Sequence, residues 1–179
     1  MLRSLVGSEM CIRDSYSARL AAQGLDGLPD HLPNYELQGS DARYPLAMIS
    51  PPARNFLNST FVNVTSLRNI EGRPILEIHP DDAEARGIAN DAVVRVFNDR
   101  GSYLCHATVS RRARPGVVNG LGIWWRKLGL NGTNVNEVTS QALTDLGRAP
   151  TFYDCLVEVE ATGAADAGMD AGARVGTTA

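Results

Sequence analysis

The chain has 179 residues, and its 17 lysines and arginines against 20 acids leave a formal charge of -3. With 44% hydrophobic residues it has material for one domain plus appendages, and no apolar run nears the roughly 20 residues that cross a bilayer. The slight acidity excludes a general nucleic-acid binder. Three well-separated cysteines, Cys11, Cys105 and Cys155, cannot by themselves form a zinc site, an iron–sulfur cluster or a disulfide scaffold; so sparse a set favours a reducing compartment such as the cytoplasm.

In chain order, residues 1–15 (MLRSLVGSEMCIRDS) have neither the long apolar centre nor the small-residue cleavage site of a secretory signal. The run from Glu9 to Ser15 resembles a translated sequencing-library transposon end. These residues are therefore set aside from fold reasoning, and the chain is expected to be the C-terminal piece of something longer. Residues 16–41, with Gly24, Gly27, Pro29, Pro33 and Gly39, read as a linker with at most one helical turn near 18–23. The folded unit is expected over 42–161.

Within it, 44–49 is a short apolar strand ended by Pro51-Pro52. PILEIH at 74–79 alternates, with Ile75, Glu77 and His79 on one face and Leu76 and Ile78 on the other. Asp81 and Glu84 have capping-box spacing and predict a short helix, which Gly87 ends in a left-handed conformation. A strand at 92–97, a hairpin turn at Asn98-Asp99-Arg100-Gly101 and a strand at 102–110 follow. Pro115-Gly116 turns the chain into 117–125, and 156–160 is the last strand. Residues 162–179 are rich in Ala and Gly and predict a disordered tail. Short strands at this spacing with one small helix predict a mainly β fold, a barrel rather than a βαβ sheet.

Charge is distributed unevenly. From Arg100 to Asn136 there is no acid but there are Arg111, Arg112, Arg114, Arg126 and Lys127; from Ala42 to Ile70 there is again no acid but there are Arg43, Arg54 and Arg68. These segments also carry Asn55, Asn58, Ser59, Asn63, Asn131, Asn134 and Asn136. Such a set suits a small anion with polar rings, and equally suits solvated arginines on a barrel rim. The catalytic inventory is thin. His31, His79 and His106 are scattered, no P-loop, G-x-G-x-x-G or G-x-S-x-G occurs, and Cys105 reads as a buried strand residue. No nucleophile–base pair is legible.

Several blocks match a known pattern together. Ile49-Ser50-Pro51-Pro52-Ala53-Arg54-Asn55-Phe56-Leu57-Asn58-Ser59 resembles the entry loop of the molybdopterin dinucleotide-binding domain, which closes the C-terminus of molybdenum and tungsten oxidoreductases of the dimethyl sulfoxide reductase superfamily. Ile78-His79-Pro80-Asp81-Asp82-Ala83, Ala85-Arg86-Gly87-Ile88, Val93 to Gly101 and Arg114-Pro115-Gly116-Val117-Val118 resemble its centre. Gly132-Thr133-Asn134-Val135-Asn136-Glu137-Val138-Thr139 resembles its late pterin-facing loop, and Phe152-Tyr153 precedes the last strand as in the family. The likeness covers about residues 44–159.

The resemblance implies a double-psi β-barrel with a six-stranded core. It implies binding of bis-molybdopterin guanine dinucleotide carrying molybdenum or tungsten, and a place in an oxidoreductase whose metal ligand, substrate funnel and any iron–sulfur cluster lie upstream. The chain alone would be catalytically silent. Its implied partners are those upstream domains and an electron-transfer subunit. Ser50, Arg54, Asn58 and Ser59 fall in the first cofactor loop; Asn136 and Tyr153 fall at late pterin or dinucleotide contacts; Trp125, Asn134 and Thr139 are nearby candidates. For Trp124 and Trp125 the alternative is one core residue and one partner-facing residue. Relatives usually have Asp-Gly-Asp where this chain has Asn90-Asp91-Ala92, so Asp91 is expected to take a positive φ at little cost. Two other readings of a small barrel are a free-standing adaptor module and a decarboxylase that cleaves itself at a Gly-Ser. For the latter, Gly101-Ser102 at a hairpin turn is a poor candidate.

Overall fold

Six runs rich in β-branched and apolar residues become strands: β1 (Leu46–Ile49), β2 (Ile75–Ile78), β3 (Val93–Asn98), β4 (Gly101–Val109), β5 (Val117–Leu121) and β6 (Cys155–Ala161). In this computed structural model the described residues are 21, 22, 24, 36, 43–144 and 148–162. They belong to two units, Met1–Asn34 and Tyr35–Ala179. The first contributes only Ala21, Ala22 and Gly24, where the Gly24 amide donates to the Ala21 carbonyl at 3.0 Å. The expectations for 1–15, for most of the linker and for the tail from 163 lie outside the described residues.

The strands close into a barrel in the order β1-β5-β2-β4-β3-β6. The pairs β1–β5 and β2–β4 are parallel, and the other four are antiparallel. The expected barrel is therefore observed. Leu46, Met48, Leu76, Ile78, Val94, Val96, Val118, Val157 and Val159 fill its interior almost free of solvent. In β2 the predicted alternation is seen at Leu76 and Ile78. Glu77 faces the other way yet is also buried, accepting from Asn119 Nδ2 at 3.1 Å. The β3–β4 hairpin closes with Asn98 opposite Gly101, as its sequence predicts.

Three local differences have physical causes. The helix α2 (Pro80–Glu84) is capped by His79, whose Nδ1 accepts the Asp81 amide at 3.3 Å. Asp81 thus lies inside the first turn, with Pro80 opening the helix, and is not the cap that the capping-box spacing predicts. Strand β5 stops at Leu121 instead of reaching 125, because Gly122 turns the chain at φ 74°. The helix α1 (Thr65–Glu71) was not expected; Val64 precedes it with no side-chain cap, so it lacks the usual start signal. Asp91 does take a positive φ, 73°, and its carboxylate pairs with Arg73.

This strand order assigns every connection to one of two barrel ends. The C-terminal ends of β1, β5 and β3 and the N-terminal ends of β2, β4 and β6 share one rim, here the near rim. It carries the long connections 50–74 and 122–154 and the hairpin turn at 99–100. The far rim carries 79–92 and 110–116, and the last residues of the 50–74 connection reach it, since β2 begins level with β3 and Arg73 pairs with Asp91.

Candidate functional site

The near rim gathers the three segments that sequence reasoning singled out. Residues 50–59 leave β1 there, and 132–139 and 152–153 lie on the connection from β5 to β6. Direct contacts tie the first two together through 122–124, and tie the late loop to Cys155 two residues past 153. Phe56 packs edge-to-face on Trp124, ring centres 5.2 Å apart, in a second small core with Ala53 and Val62. Gly122 lies beneath that core: a Cβ there would meet the Ala53 Cβ at 3.0 Å and Phe56 Cδ2 at 3.4 Å, so the loop settles only on a glycine. Asn134 Nδ2 donates to the Trp124 carbonyl at 2.8 Å. At the other end of the late loop, the Val138 carbonyl accepts from Asn98 Nδ2, Arg100 Nε and Cys155 Sγ at 2.9, 2.8 and 3.0 Å.

The candidate residues divide by what their side chains already hold. Asn134 is committed at both ends, since its Oδ1 also accepts the Asn136 amide at 3.0 Å. Thr139 is buried and donates to the Asn136 carbonyl at 3.2 Å. Trp125 donates its indole N–H to the Ser59 carbonyl at 2.7 Å and carries Lys127 Nζ 5.0 Å from its ring centre. Ser50 is buried at the end of β1. These four shape the rim. Arg54, Asn58, Ser59, Asn136 and Tyr153 are exposed, and their polar side-chain groups have no partner among the described residues, although the Tyr153 ring packs edge-to-face on Phe152 at 4.6 Å. Asn58 begins a tight turn at φ 53°, with Leu57 and Thr60 exchanging hydrogen bonds of 3.2 and 2.8 Å; Asn is among the few residues that tolerate that conformation. Trp124, at 4% exposure, is the core member of the tryptophan pair.

The acid-free segments are less electropositive in space than in sequence. Arg43 pairs with Asp99, Arg100 with Glu36, Arg112 weakly with Glu77 at 3.8 Å, and Arg126 with Glu137. Acids distant in the chain neutralise them. Arg54 keeps no such partner among the described residues, and the near-rim acids Glu71, Asp99 and Glu137 are each held by protein donors. Uncommitted donors beside neutralised acids fit an anion with hydrogen-bonding rings.

Sequence reasoning missed the apolar character of this rim. Every exposed large hydrophobic among the described residues lies on it: Ile49, Leu57, Phe61, Val64, Ile70, Leu143, Phe152 and Tyr153. The signal was present in the 50–74 connection, where apolar residues recur without strand or helix period.

The buried titratable groups belong to the scaffold. Burial raises the Tyr103 hydroxyl and the Cys105 thiol well above their usual ranges. Burial also pushes Cys155 up to about 11, although Arg100 beside it pulls the other way. Burial of Arg100 opposes its charge, but Glu36 more than offsets this and leaves its pKa raised. Among the described residues no three His, Cys, Asp or Glu side chains converge to hold a metal ion, and no helix is long and apolar enough to cross a membrane.

A closed six-stranded barrel with two long loops on one rim, offering amides and a guanidinium, defines a cofactor-binding domain. Residues 46–156 match the family model of the "Molydopterin dinucleotide binding domain", and the chain belongs to that family. It is 35% identical over 145 residues to "Probable oxidoreductase YoaE" of Bacillus subtilis (strain 168), covering 81% of this chain and 21% of that protein. To the dimethyl sulfoxide reductase DmsA of Escherichia coli (strain K12) it is 34% identical over 142 residues, 76% of this chain and 17% of that one. Acetylene hydratase from Pelobacter acetylenicus shares the fold, with a TM-score of 0.67 at 17% identity over 82% of this chain and 23% of the hydratase. The chain thus spans about a fifth of the length of these proteins.

Proposed function

We propose that this barrel is the dinucleotide-binding domain of a larger molybdopterin-dependent oxidoreductase, and that the near rim is the face it turns toward the cofactor. The observation that carries the reading is the coincidence, on one rim, of uncommitted donors and exposed apolar side chains. The donors suit the dinucleotide: Arg54 offers a fork to a phosphate or pterin carbonyl, Asn136 offers both a donor and an acceptor to a pterin edge, and Ser59, Asn58 and Tyr153 add hydroxyl and amide contacts. The apolar residues suit a protein surface that closes over the cofactor, supplied by the remaining four-fifths of an enzyme the length of the relatives.

The finer reading is that the cofactor is bis-molybdopterin guanine dinucleotide, with molybdenum or tungsten. When bound, it supplies two-electron redox chemistry at its metal. This chain's part is to bind and orient it. The uncommitted donors hold the dinucleotide, and the apolar rim excludes water around it. The metal ligand, any iron–sulfur cluster and the docking site for an electron-transfer subunit belong to the upstream portion.

The test is pterin and metal content of the full-length enzyme. Arg54→Ala and Asn136→Ala are expected to retain about tenfold to hundredfold less tightly, the worth of one charge-assisted or well-placed hydrogen bond of roughly 1.5–3 kcal/mol. Arg112→Ala, on the far rim, should retain the wild-type content. Full retention by both near-rim variants would refute the assignment.

A further inference from the structure

The stretch Trp124–Trp125–Arg126 touches both candidate loops at once. Toward the early loop, Trp125 Nε1 donates to the Ser59 carbonyl at 2.7 Å, and Trp124 packs on Phe56. Toward the late loop, the Trp124 carbonyl accepts from Asn134 Nδ2, and Arg126 donates through Nε to the Gly132 carbonyl at 3.0 Å while its Nη2 lies 3.2 Å from Glu137. Two residues upstream, the Gly122 amide donates to the Pro51 carbonyl at 2.9 Å, so the early loop is held at its base by Gly122 and at its Asn58–Ser59 turn by Trp125.

We propose that Trp125 is a positioning residue for the cofactor, acting through Ser59 and touching the ligand itself only through the loops it sets. This deepens the reading above and rests on it. The Asn58–Ser59 turn is short, exposed and held at a left-handed φ. Among the described residues, its one hydrogen bond to the β5–β6 connection is from the indole N–H. The late loop's Gly132–Asn134 end is anchored to the neighbouring residues 124 and 126, so this brace sets the separation between that end and the Asn58–Ser59 turn. A ligand that bridges them meets a pre-formed pair and avoids the ordering cost that a loose turn would add. The family resemblance makes Trp125 a candidate cofactor contact, with a partner-facing role as the alternative; the geometry assigns its donor to the protein.

Two measurements test this. In the nitrogen-15-labelled 179-residue chain, the Trp125 indole proton should exchange at least about tenfold more slowly than an exposed indole, matching one hydrogen bond of ~1.4 kcal/mol. Fast exchange there overturns the brace without any variant being made. In the full-length enzyme, Trp125→Phe keeps the ring and loses the donor. Its cofactor retention should fall about tenfold, while the cofactor-free form melts within about 2 °C of wild type and Arg111→Ala on the far rim retains fully. A retention loss matched by an equal early melt would make Trp125 merely structural and refute the proposal. Wild-type retention in Trp125→Phe beside losses in Arg54→Ala and Asn136→Ala would refute the brace and leave the cofactor face standing. Full retention in all three would refute both.

Discussion

The two ends of one barrel differ in how their polar groups are used. At the far rim, short connections consume them: His79 caps α2, Asp82 accepts the Gly116 amide at 2.8 Å, Asn90 accepts the Val109 amide at 2.9 Å, and Arg86 pairs with Glu158 of β6. Arg111 and Arg114 are its exposed exceptions. At the near rim, long connections leave the polar groups of Arg54, Asn58, Ser59, Asn136 and Tyr153 without a partner among the described residues and expose every large hydrophobic that those residues expose. A rim that satisfies itself contributes stability; a rim that does not is shaped for something else. Both rest on the same wall of strands, so the difference is a property of the loops.

The comparison can be broken or sharpened by substitution, beginning with the shared wall. Leu76→Ala empties a fully buried site and should cost about 2–5 kcal/mol, lowering the melting temperature and loosening both rims together. At the far rim Arg86→Ala removes a half-buried pair whose Nε–Oε1 distance is 2.5 Å. It should cost roughly 1.5–3 kcal/mol of stability in thermal melts and leave cofactor content unchanged. The near-rim variant Gly122→Ala should do the reverse in part. With a positive φ and Ala53 in the way, it costs about 1–2 kcal/mol and also lowers cofactor retention, because the early loop is displaced.

A smaller effect separates scaffold from site by pH. The Cys155 thiol is raised in the folded chain, so the protonated form is favoured by folding. The stability linked to it is complete below the ordinary thiol pKa of ~8.5 and is lost as pH rises toward about 11. Melting temperature should therefore fall across that window, and Cys155→Ala should flatten the fall. Smallest of all, Leu57→Gln or Ile70→Gln should change the melting temperature by under about 2 °C, since neither side chain is buried, yet lower the binding of an apolar dye.

Much of the fold was legible because strand patterning and turn chemistry agree. PILEIH alternates, Asn98–Gly101 is a hairpin turn by composition, and Asp91 takes the positive φ its turn requires. The helix α1 was not legible, since neither a cap nor an apolar face marks it. The site was legible as segments but not as roles. Asn134, Thr139 and Trp125 carry the right groups, yet those groups are turned toward protein atoms. Likewise the absence of local acids around Arg100 and Arg126 overstated their free charge, because Glu36 and Glu137 reach them in space. Spacing along a chain reports which elements form; it does not report which hydrogen bonds the tertiary fold has already used.

The central claim is that the near rim alone faces the cofactor. Amide hydrogen exchange on the full-length enzyme, with and without molybdopterin dinucleotide bound, tests it most directly. Loading should slow exchange across residues 50–59 and 132–139 by at least about tenfold and leave 79–92 and 110–116 unchanged, since a ligand protects only the surface it covers. Protection of the far-rim segments with no change at 50–59 or 132–139 would contradict the account.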